Sequence, residues 1–474
     1  MSIDETTTMQ KQSVTNQFLV TFVVGLFMLT GGITMGWTSS SILVLMSDET
    51  PLASGKITIE EASWIASLPY AGGIIGNIVF GFVINKFGRK IPIFLLAFPS
   101  FLSWLMILFA SNSLHLCVAR FINGIVSGCS SIATPLFLAE ISSDRIRGAI
   151  LATLVSCSII GTLLSFVFGH FFHYYITPKI TLVIIALFAF FILFFPESPV
   201  FLVKRNRISE AKKSIRFYQS LRRDRIEDND VLQQELKKLE TIFASEAEVY
   251  SNNGVRAFRW TDLNTKIARK ALLIGIVLCT LQQCGGGVAY ASYAAKIFQE
   301  TGSNMSPNVS AIVTGAIEFA GILVAVYLID RAGRKFLYKI STFGMASGLI
   351  IFGIYVHLKS LNYNVETFNW IPLTCFSFIL FIMPWAVSSL PFGVVPEIMP
   401  EQLKDFGWSF CMTLLWIWAF IMVKFFPFLN ETLGMHGTLY AFATVCLSGA
   451  LFVITYLPET KGKSYEEIME LLNQ

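Results

Sequence analysis

The sequence carries little charge for its length. Only 14% of its 474 residues are Asp, Glu, Lys or Arg, whereas 54% are hydrophobic, and the mean hydropathy is +0.63. A soluble globular domain has charge on about 25% of its residues. This composition therefore excludes a soluble protein of this size and indicates a chain whose solvent is the lipid bilayer.

The sequence also lacks the motifs of an enzyme. No nucleotide-binding loop or nucleophile motif is present. The eight cysteines are scattered through apolar stretches without pairs or metal-ligand spacing, which predicts packing residues and no disulfide framework. The histidines form no metal-binding box; they are His115, His170, His173, His357 and His436. We therefore expect no enzymatic activity, no cofactor and no metal site.

Apolar stretches make up most of the chain. Each is about 20 residues long, the length that a helix needs to cross about 30 Å of hydrocarbon. They lie at 17–37, 64–84, 91–111, 114–139, 149–170, 179–195, 271–295, 308–329, 337–357, 370–396, 406–427 and 437–457. The predicted fold class is an all-α membrane protein with twelve transmembrane helices. Because residues 1–16 have no basic n-region, the first stretch is interpreted as a membrane span that is retained, not as a cleaved signal peptide.

Lysine and arginine fall mainly on alternate loops. With the amino terminus in the cytoplasm, nearly all of them lie on that side, including a dense set at 204–270. The other side receives Lys56, Lys179, Lys296 and Lys359. The positive-inside rule therefore predicts that both termini are cytoplasmic. A nucleic-acid-binding protein would not be expected to divide its charges in this way. We expect membrane lipids to surround the chain.

Charged signatures recur in the same order in the two halves of the chain. The paired segments are Gly88 to Lys90 with Asp330 to Lys335, Glu140 and Arg147 with Glu397 and Lys404, and Pro196 to Pro199 with Pro458 to Gly462. This repetition predicts two pseudo-symmetric six-helix bundles, 17–200 and 271–457. The remaining segments are two cytoplasmic tails, 1–16 and 458–474, and a cytoplasmic loop, 201–270.

The loop at 201–270 has a helical pattern. Leucines at 232, 236 and 239 and Phe243 repeat at helical spacing. Ser209 is placed to cap a basic helix that begins at Glu210, and Asp230 with Gln233 is typical of a capping box. The pattern predicts short amphipathic helices beneath the spans. A disordered linker is the alternative.

Two homologous bundles suggest alternating access, in which the halves rock about a central site. The recurring charges lie at helix ends that would meet when the cytoplasmic side closes. We expect them to form state-dependent ion pairs; they are Arg89, Glu140, Arg147, Asp330, Arg334, Glu397 and Lys404. The alternative is that these charges only mark the membrane interface.

The ordered set of motifs resembles the sugar porters of the major facilitator superfamily over the whole chain. Besides the recurring segments, the marks are Arg120 with Gly124 and Gly128, Pro135, and Gln282-Gln283 with Gly286. Gly36-Trp37-Thr38 and Lys424 look most like the insect facilitated trehalose and hexose transporters. The resemblance implies the major facilitator fold and transport of trehalose, glucose or a related small saccharide.

The resemblance also implies a substrate site. Gln282 and Gln283 would supply amide donors and acceptors for sugar hydroxyls, with interhelical packing as the alternative. Tyr293 would gate the outer mouth, and Trp416 would be the large aromatic, because the tenth-span tryptophan of the family falls on Phe392. Three family amides are replaced by Val155, Val288 and Leu415. Hydrogen-bonding capacity is therefore reduced.

Two further positions bear on ion coupling. The eighth-span asparagine of the family falls on Glu318, a carboxylate that must be protonated, paired or wet at that depth. Lys424 is its expected partner by depth. Proton-coupled members carry a first-span aspartate where this chain has Thr38, which favours facilitated diffusion. A proton-coupled symporter using Glu318 and a non-transporting sugar sensor remain the alternatives.

Glycosylation signals occur at predicted outer loops. They begin at Asn304, Asn308 and Asn430. They favour a glycoprotein of the plasma membrane. The sequence does not determine the oligomeric state.

Overall fold

The computed structural model describes residues 3–143, 146–221, 226–252, 263–301, 305–463 and 465–473. All the regular elements in these ranges are helical. The helices are α1 Ile3–Leu45, α2 Ile59–Phe87, α3 Lys90–Leu95, α4 Ala97–Leu108, α5 Ser113–Ile141, α6 Arg147–Phe171, α7 Ile176–Ile192, α8 Pro199–Lys204, α9 Ile208–Tyr218, α10 Ile226–Asn252, α11 Lys266–Cys284, α12 Gly287–Thr301, α13 Pro307–Ala332, α14 Arg334–Ser360, α15 Ile371–Ile382, α16 Pro391–Ile398, α17 Lys404–Tyr456 and α18 Tyr465–Asn473. Short 3-10 turns occupy Glu366–Phe368, Met383–Trp385 and Glu401–Leu403.

These helices make twelve membrane crossings in the described residues, as the sequence predicts. Helices α3 and α4 together form the third span, α11 and α12 the seventh, and α15 and α16 the tenth. The long helix α17 contains the last two spans, because Gly434 adopts a φ of +69° and turns the chain back.

Packing divides the spans into two bundles. In the first, α1 packs on α6 and α7, and α2 packs on α5. In the second, α14 packs on α15 and α17, and α13 packs on α15. Glycines bring α2 and α5 into backbone contact: a Cβ atom at Gly124 would lie 2.1 Å from the carbonyl oxygen of Pro69. The hydrophobic effect does not drive helices together within lipid, so they associate by close packing, which small residues allow.

Spans seven and ten are broken, whereas the sequence predicts continuous stretches at 271–295 and 370–396. Span seven breaks at Gly286, whose φ is +92°, and bends again at Tyr293 (φ −122°, ψ 16°). Span ten passes through the 3-10 turn Met383–Trp385 and resumes at Pro391. Broken helices free backbone groups, and they are tolerated at membrane depth where they line a cavity or are buried in protein.

The helices outside the membrane spans, α8, α9, α10 and α18, lie on one face of the molecule. Helices α8, α9 and α10 share a small core that includes Leu202, Ile215 and Leu236. The Gln17 amide donates to the carbonyl oxygen of Tyr218 (3.2 Å), and Lys266 Nζ donates to that of Asn473 (2.9 Å). Both ends of the described chain and the central helices therefore share one face, the termini face. The opposite face is called the distal face.

Helix α1 begins at Ile3 and runs through the expected tail at 1–16. Two helix caps predicted in the loop at 201–270 are wrong. Helix α9 begins at Ile208, which packs on the small core, so Ser209 lies inside the helix and caps nothing. Helix α10 begins at Ile226 and takes Asp230 into its interior. Leu232 and Leu236 are buried as predicted, and the Phe243 side chain lies outside the described residues.

Candidate substrate site between the two bundles

Gln282 and Gln283 lie at the end of α11, directly before the break in span seven. The Gln282 Nε2 group donates to the carbonyl oxygen of Ser388, at 3.2 Å, which ties this break to the one in span ten. The Oε1 atoms of both glutamines are buried and accept no hydrogen bond from the described residues. Buried acceptors are normally satisfied, so the break in span seven holds two amide oxygens with unused hydrogen-bonding capacity.

Tyr293 lies on α12, distal to the glutamines. Its hydroxyl donates to the carbonyl oxygen of Val423 at 3.2 Å, and its ring stacks on Phe426 with centroids 5.2 Å apart. Both aromatic side chains are 2% exposed. The stack joins α12 to α17 within the second bundle, on the distal side of the glutamines, where the sequence predicts a gate.

Trp416 lies at the interface between the bundles. Its ring packs directly on α2, because a Cβ atom at Gly73 would lie 2.3 Å from it, and its centroid is 6.2 Å from that of Tyr70. The structure therefore places this predicted aromatic between the two bundles. Phe392 instead lies beside Trp408 (6.2 Å) with 47% of its surface exposed, and no described ring contact joins it to Trp416.

Thr38 accepts a hydrogen bond from the buried guanidinium of Arg120. Arg120 also donates to the carbonyl oxygens of Thr34 (2.5 Å) and Ile65 (3.2 Å), and lies 5.3 Å from the centroid of Trp37. No carboxylate pairs with Arg120 in the part of the chain that the structure describes. The arginine thus joins α1, α2 and α5 through neutral acceptors, and Thr38 is 1% exposed.

Glu318 lies on the face of α13 that points into the protein. The exposed side of this helix carries Ala316, Ala320 and Leu323, and helical geometry places Glu318 opposite them. Its carboxylate makes no ion pair or hydrogen bond with the described residues. The expected partner, Lys424, is engaged elsewhere: its Nζ donates to Ser63 Oγ at 2.7 Å and lies 3.9 Å from the Trp64 ring centroid.

The Lys424 contact is one of several that join the bundles. Helix α2 lies along α17, α1 along α12, and α6 along α13. The hydrogen-bonded pairs across this interface include Ser63 with Lys424 (2.7 Å), Tyr70 with Ser292 (3.4 Å), Ser39 with Ala295 (3.0 Å) and Asn77 with Thr413 (3.1 Å). The first three pairs lie in the distal half of the interface, and Asn77 with Thr413 lies nearer the termini face, so the bundles are closed through the distal half and past the middle of the interface.

Two of the expected ion pairs are present on the termini face. Arg89 Nε lies 3.0 Å from Glu140, with side chains 8% and 10% exposed. Arg334 lies 2.7 Å from Glu397, with side chains 23% and 33% exposed. Each pair lies inside one bundle, so in this distally closed conformation neither pair crosses the interface.

The sequence did not single out Glu197 and Glu459 as site residues, although both lie in the recurring motifs. Glu197 accepts hydrogen bonds from the backbone N–H groups of Arg89 (3.0 Å) and Lys90 (2.9 Å). Glu459 accepts them from Arg334 (2.9 Å) and Lys335 (3.1 Å). Each carboxylate fixes the backbone beside an ion-pairing arginine. The sequence did carry a signal for these two residues, because each repeat has a glutamate at the same place in its motif.

The other predicted residues are not gathered at one site. Arg147 Nε donates to the carbonyl oxygen of Ala139 (3.2 Å), and Lys404 is exposed. The Asp330 side chain and Asn304 lie outside the described residues. Asn308 and Asn430 lie in helices α13 and α17 with buried Oδ1 atoms, so the loops predicted there are wrong. Glycosylation at these asparagines stays a prediction.

Two bundles that are closed against each other over the distal part of their interface, with broken helices at membrane depth, define a membrane transporter that works by alternating access. The chain belongs to the sugar transporter family: the family described as "Sugar (and other) transporter" matches residues 40–472. This membership confirms the predicted family and the expectation of a transporter that is not an enzyme.

Relatives and solved structures agree with this assignment. Facilitated trehalose transporter Tret1 of Bombyx mori is 32% identical over 463 residues, covering 97% of this chain and 88% of that protein. Tret1 of Culex quinquefasciatus is 30% identical over 458 residues, covering 96% and 85%. The inward open structure of the xylose transporter XylE from E. coli has a TM-score of 0.77 at 19% identity, covering 96% and 99%. The predicted fold is therefore confirmed.

Proposed function

We propose that this protein carries a small saccharide (trehalose, glucose or a related sugar) across the plasma membrane by facilitated diffusion, with both termini in the cytoplasm. The observation that carries the proposal is the pair of buried amide oxygens, of Gln282 and Gln283, that lack donors at the break in span seven. A sugar presents hydroxyl donors together with an apolar ring face. Trp416 offers an aromatic surface at the same interface.

The surroundings of Arg120 support uniport. Its partners in the described residues are Thr38 and two backbone carbonyl oxygens, none of which changes its charge in the physiological pH range. A carboxylate at position 38 would supply a proton acceptor beside the arginine, and this chain has none there. We therefore expect flux that follows the saccharide gradient alone.

The test is counterflow of radiolabelled trehalose and glucose in liposomes that contain the purified protein. We expect saturable counterflow without a proton gradient. Replacing Gln282 with Leu should raise KM about fivefold to a hundredfold, because one hydrogen bond in a dry site is worth about 1–3 kcal/mol. Gln402→Leu, at an exposed position, is the matched control. Binding without counterflow would instead indicate a sensor, and an unchanged KM would remove Gln282 from the site.

Proton coupling is the second candidate, because Glu318 is a carboxylate without a partner on the inward face of α13. If Glu318 carries the proton, an inward proton gradient should drive saccharide above its equilibrium level, and Glu318→Gln should abolish that accumulation. Facilitated diffusion predicts no accumulation in either protein. Uptake measured at mildly acidic and mildly alkaline pH, with and without the gradient, distinguishes the two mechanisms.

We further propose that the charges on the termini face are state-dependent. In this conformation Arg89 and Arg334 pair inside their own bundles, and closure of the termini face would bring the two networks together. Arg147, Asp330 and Lys404 would join them there. Several such pairs could bias the two conformations by several kcal/mol, which is the scale needed to shift a two-state equilibrium.

A further inference from the structure

A separate cavity lies on the distal face, beyond the stacked rings of Tyr293 and Phe426. Its volume is about 170 Å³, several times the ~30 Å³ that a water molecule occupies in the liquid. The stacked rings line its inner side. Its polar walls are formed by Lys296, Glu300, Asn430 and Glu431.

The cavity offers both kinds of surface that a sugar ring requires. Ile59, which is 44% exposed, presents an apolar face beside the buried aromatic stack, and the walls present hydrogen-bonding groups. Asn430 also lines the cavity, but its Oδ1 atom is buried and has no donor in the described residues, so the charged groups of Lys296, Glu300 and Glu431 are the ones at the surface. Lys296 Nζ and Glu300 Oε1 are 3.9 Å apart, too far for a hydrogen bond, so both keep hydrogen-bonding capacity.

The charges favour a neutral ligand. An anion would approach the carboxylates of Glu300 and Glu431, and a cation would approach the ammonium of Lys296. A neutral polyol can donate to the carboxylates and accept from the ammonium with the same hydroxyl groups. The chemistry therefore fits a small uncharged saccharide.

The cavity is distinct from the central site. Tyr293 is ten positions after Gln283 in the sequence and lies on the other side of the break at Gly286. The Tyr293–Phe426 stack lies between the two places. Tyr293, Lys296 and Glu300 lie on one face of α12, at i, i+3 and i+7, and Glu300 and Glu431 are exposed. The cavity therefore faces the distal side while the stack separates it from the glutamines.

We propose that this cavity is a second saccharide subsite, which binds one sugar ring at the distal face while the gate is closed. The inference rests on the proposed function, since it assumes that the protein handles saccharides. It adds that the full-length chain holds two saccharide sites in series along span seven. Binding should therefore survive the loss of the central site.

The experiment measures saturation-transfer difference NMR of glucose and trehalose with the purified full-length protein. Gln282→Leu weakens the central site, and Asn430→Leu, added to it, removes the amide from the cavity. We expect saccharide signal to persist in Gln282→Leu and to fall about fivefold or more when Asn430→Leu is added, as the loss of about 1 kcal/mol or more requires.

Two further variants make the result decisive. Asn430→Leu also removes a glycosylation signal, so Thr432→Ala, which removes the same signal at an exposed position outside the cavity, should leave the binding unchanged. Lys296→Met repeats the test without altering α17, and it should also reduce the residual signal.

Two outcomes would overturn the proposal. One is a folded Gln282→Leu protein that binds no saccharide while the wild type binds it. The other is a residual signal that neither Asn430→Leu nor Lys296→Met reduces. Failure of the proposed function looks different, since the wild type would then show no saccharide counterflow.

Discussion

The Glu197 carboxylate accepts two hydrogen bonds from the backbone N–H group of Lys90, at 2.9 and 3.1 Å, and so caps the first turn of α3. Glu459 caps α14 in the same way in the second bundle. The glycine before each arginine makes room: Gly88 has a φ of +97°, and a Cβ atom there would lie 2.6 Å from Glu197 Oε2. The recurring motif is therefore a helix-capping clamp, with its carboxylate at the positive end of a helix dipole.

Neutralising one clamp should destabilise the protein. Glu459→Gln keeps the shape but removes the charge at the amino terminus of α14, and N-terminal capping by a carboxylate is worth about 0.5–2 kcal/mol. We expect a lower Tm in detergent. Glu470→Gln, an exposed change on α18, is the control. Equal Tm values for the two variants would contradict the capping role.

The two ion pairs on the termini face should differ in strength. The Arg89–Glu140 pair is nearly buried, so Glu140→Gln leaves a charge without its partner, at a cost of roughly 3–5 kcal/mol. The Arg334–Glu397 pair is more exposed, and one Glu397 oxygen has no partner among the residues that the structure describes, so Glu397→Gln should cost about 1 kcal/mol or less. Denaturation of both variants compares these costs. Equal losses would show that burial does not set the strength.

Thr38 should support the arginine through its hydroxyl group. Thr38→Val leaves a buried guanidinium N–H without its acceptor, which costs about 1–3 kcal/mol. Thr38→Ser keeps the hydroxyl and should retain most of the stability. Thermal unfolding of the two variants provides the measurement. If Thr38→Val keeps the wild-type Tm while Thr38→Ser lowers it, methyl packing, and not the hydrogen bond, explains the role of Thr38.

The twelve crossings and the repeat could be predicted from the sequence, because hydropathy reports which residues lie in lipid and the charged motifs mark helix ends. The breaks in spans seven and ten could not, since both sides of each break are equally apolar. The available signals were Gly285-Gly286-Gly287 and Pro391. Glycine and proline still leave open whether a span bends, breaks or packs closely.

Side-chain partners were the least predictable feature. Lys424 was assigned to Glu318 because both lie within the membrane, yet depth does not say which way a helix faces. In the structure Lys424 points to α2 and Glu318 points from α13 into the protein. The recurring motifs likewise identified Arg89 and Glu140 as ion-pairing residues, but the motif alone did not show that they pair within one bundle.

The contact of Lys424 with α2 makes it a candidate latch of the distal gate. Its ammonium donates to Ser63 at 2.7 Å and lies over Trp64. A charged hydrogen bond contributes about 1.5–3 kcal/mol and an exposed cation–π contact about 0.5–1 kcal/mol. Both contacts cross between the bundles, so both are lost when the distal side opens.

Lys424→Met should therefore increase the population that is open to the distal side. Every ~1.4 kcal/mol of lost contact energy corresponds to tenfold, so the loss of both contacts should shift the population by at least about tenfold. Ser292, which is buried beside Tyr70 in the closed state, reports the opening when it is replaced by cysteine. We expect an impermeant thiol reagent to label Ser292→Cys at least about tenfold faster in the Lys424→Met background. Lys359→Met is the control, because Lys359 bonds to Thr301 inside one bundle and should not alter the rate. If both lysine variants label at the wild-type rate, Lys424 does not hold the gate.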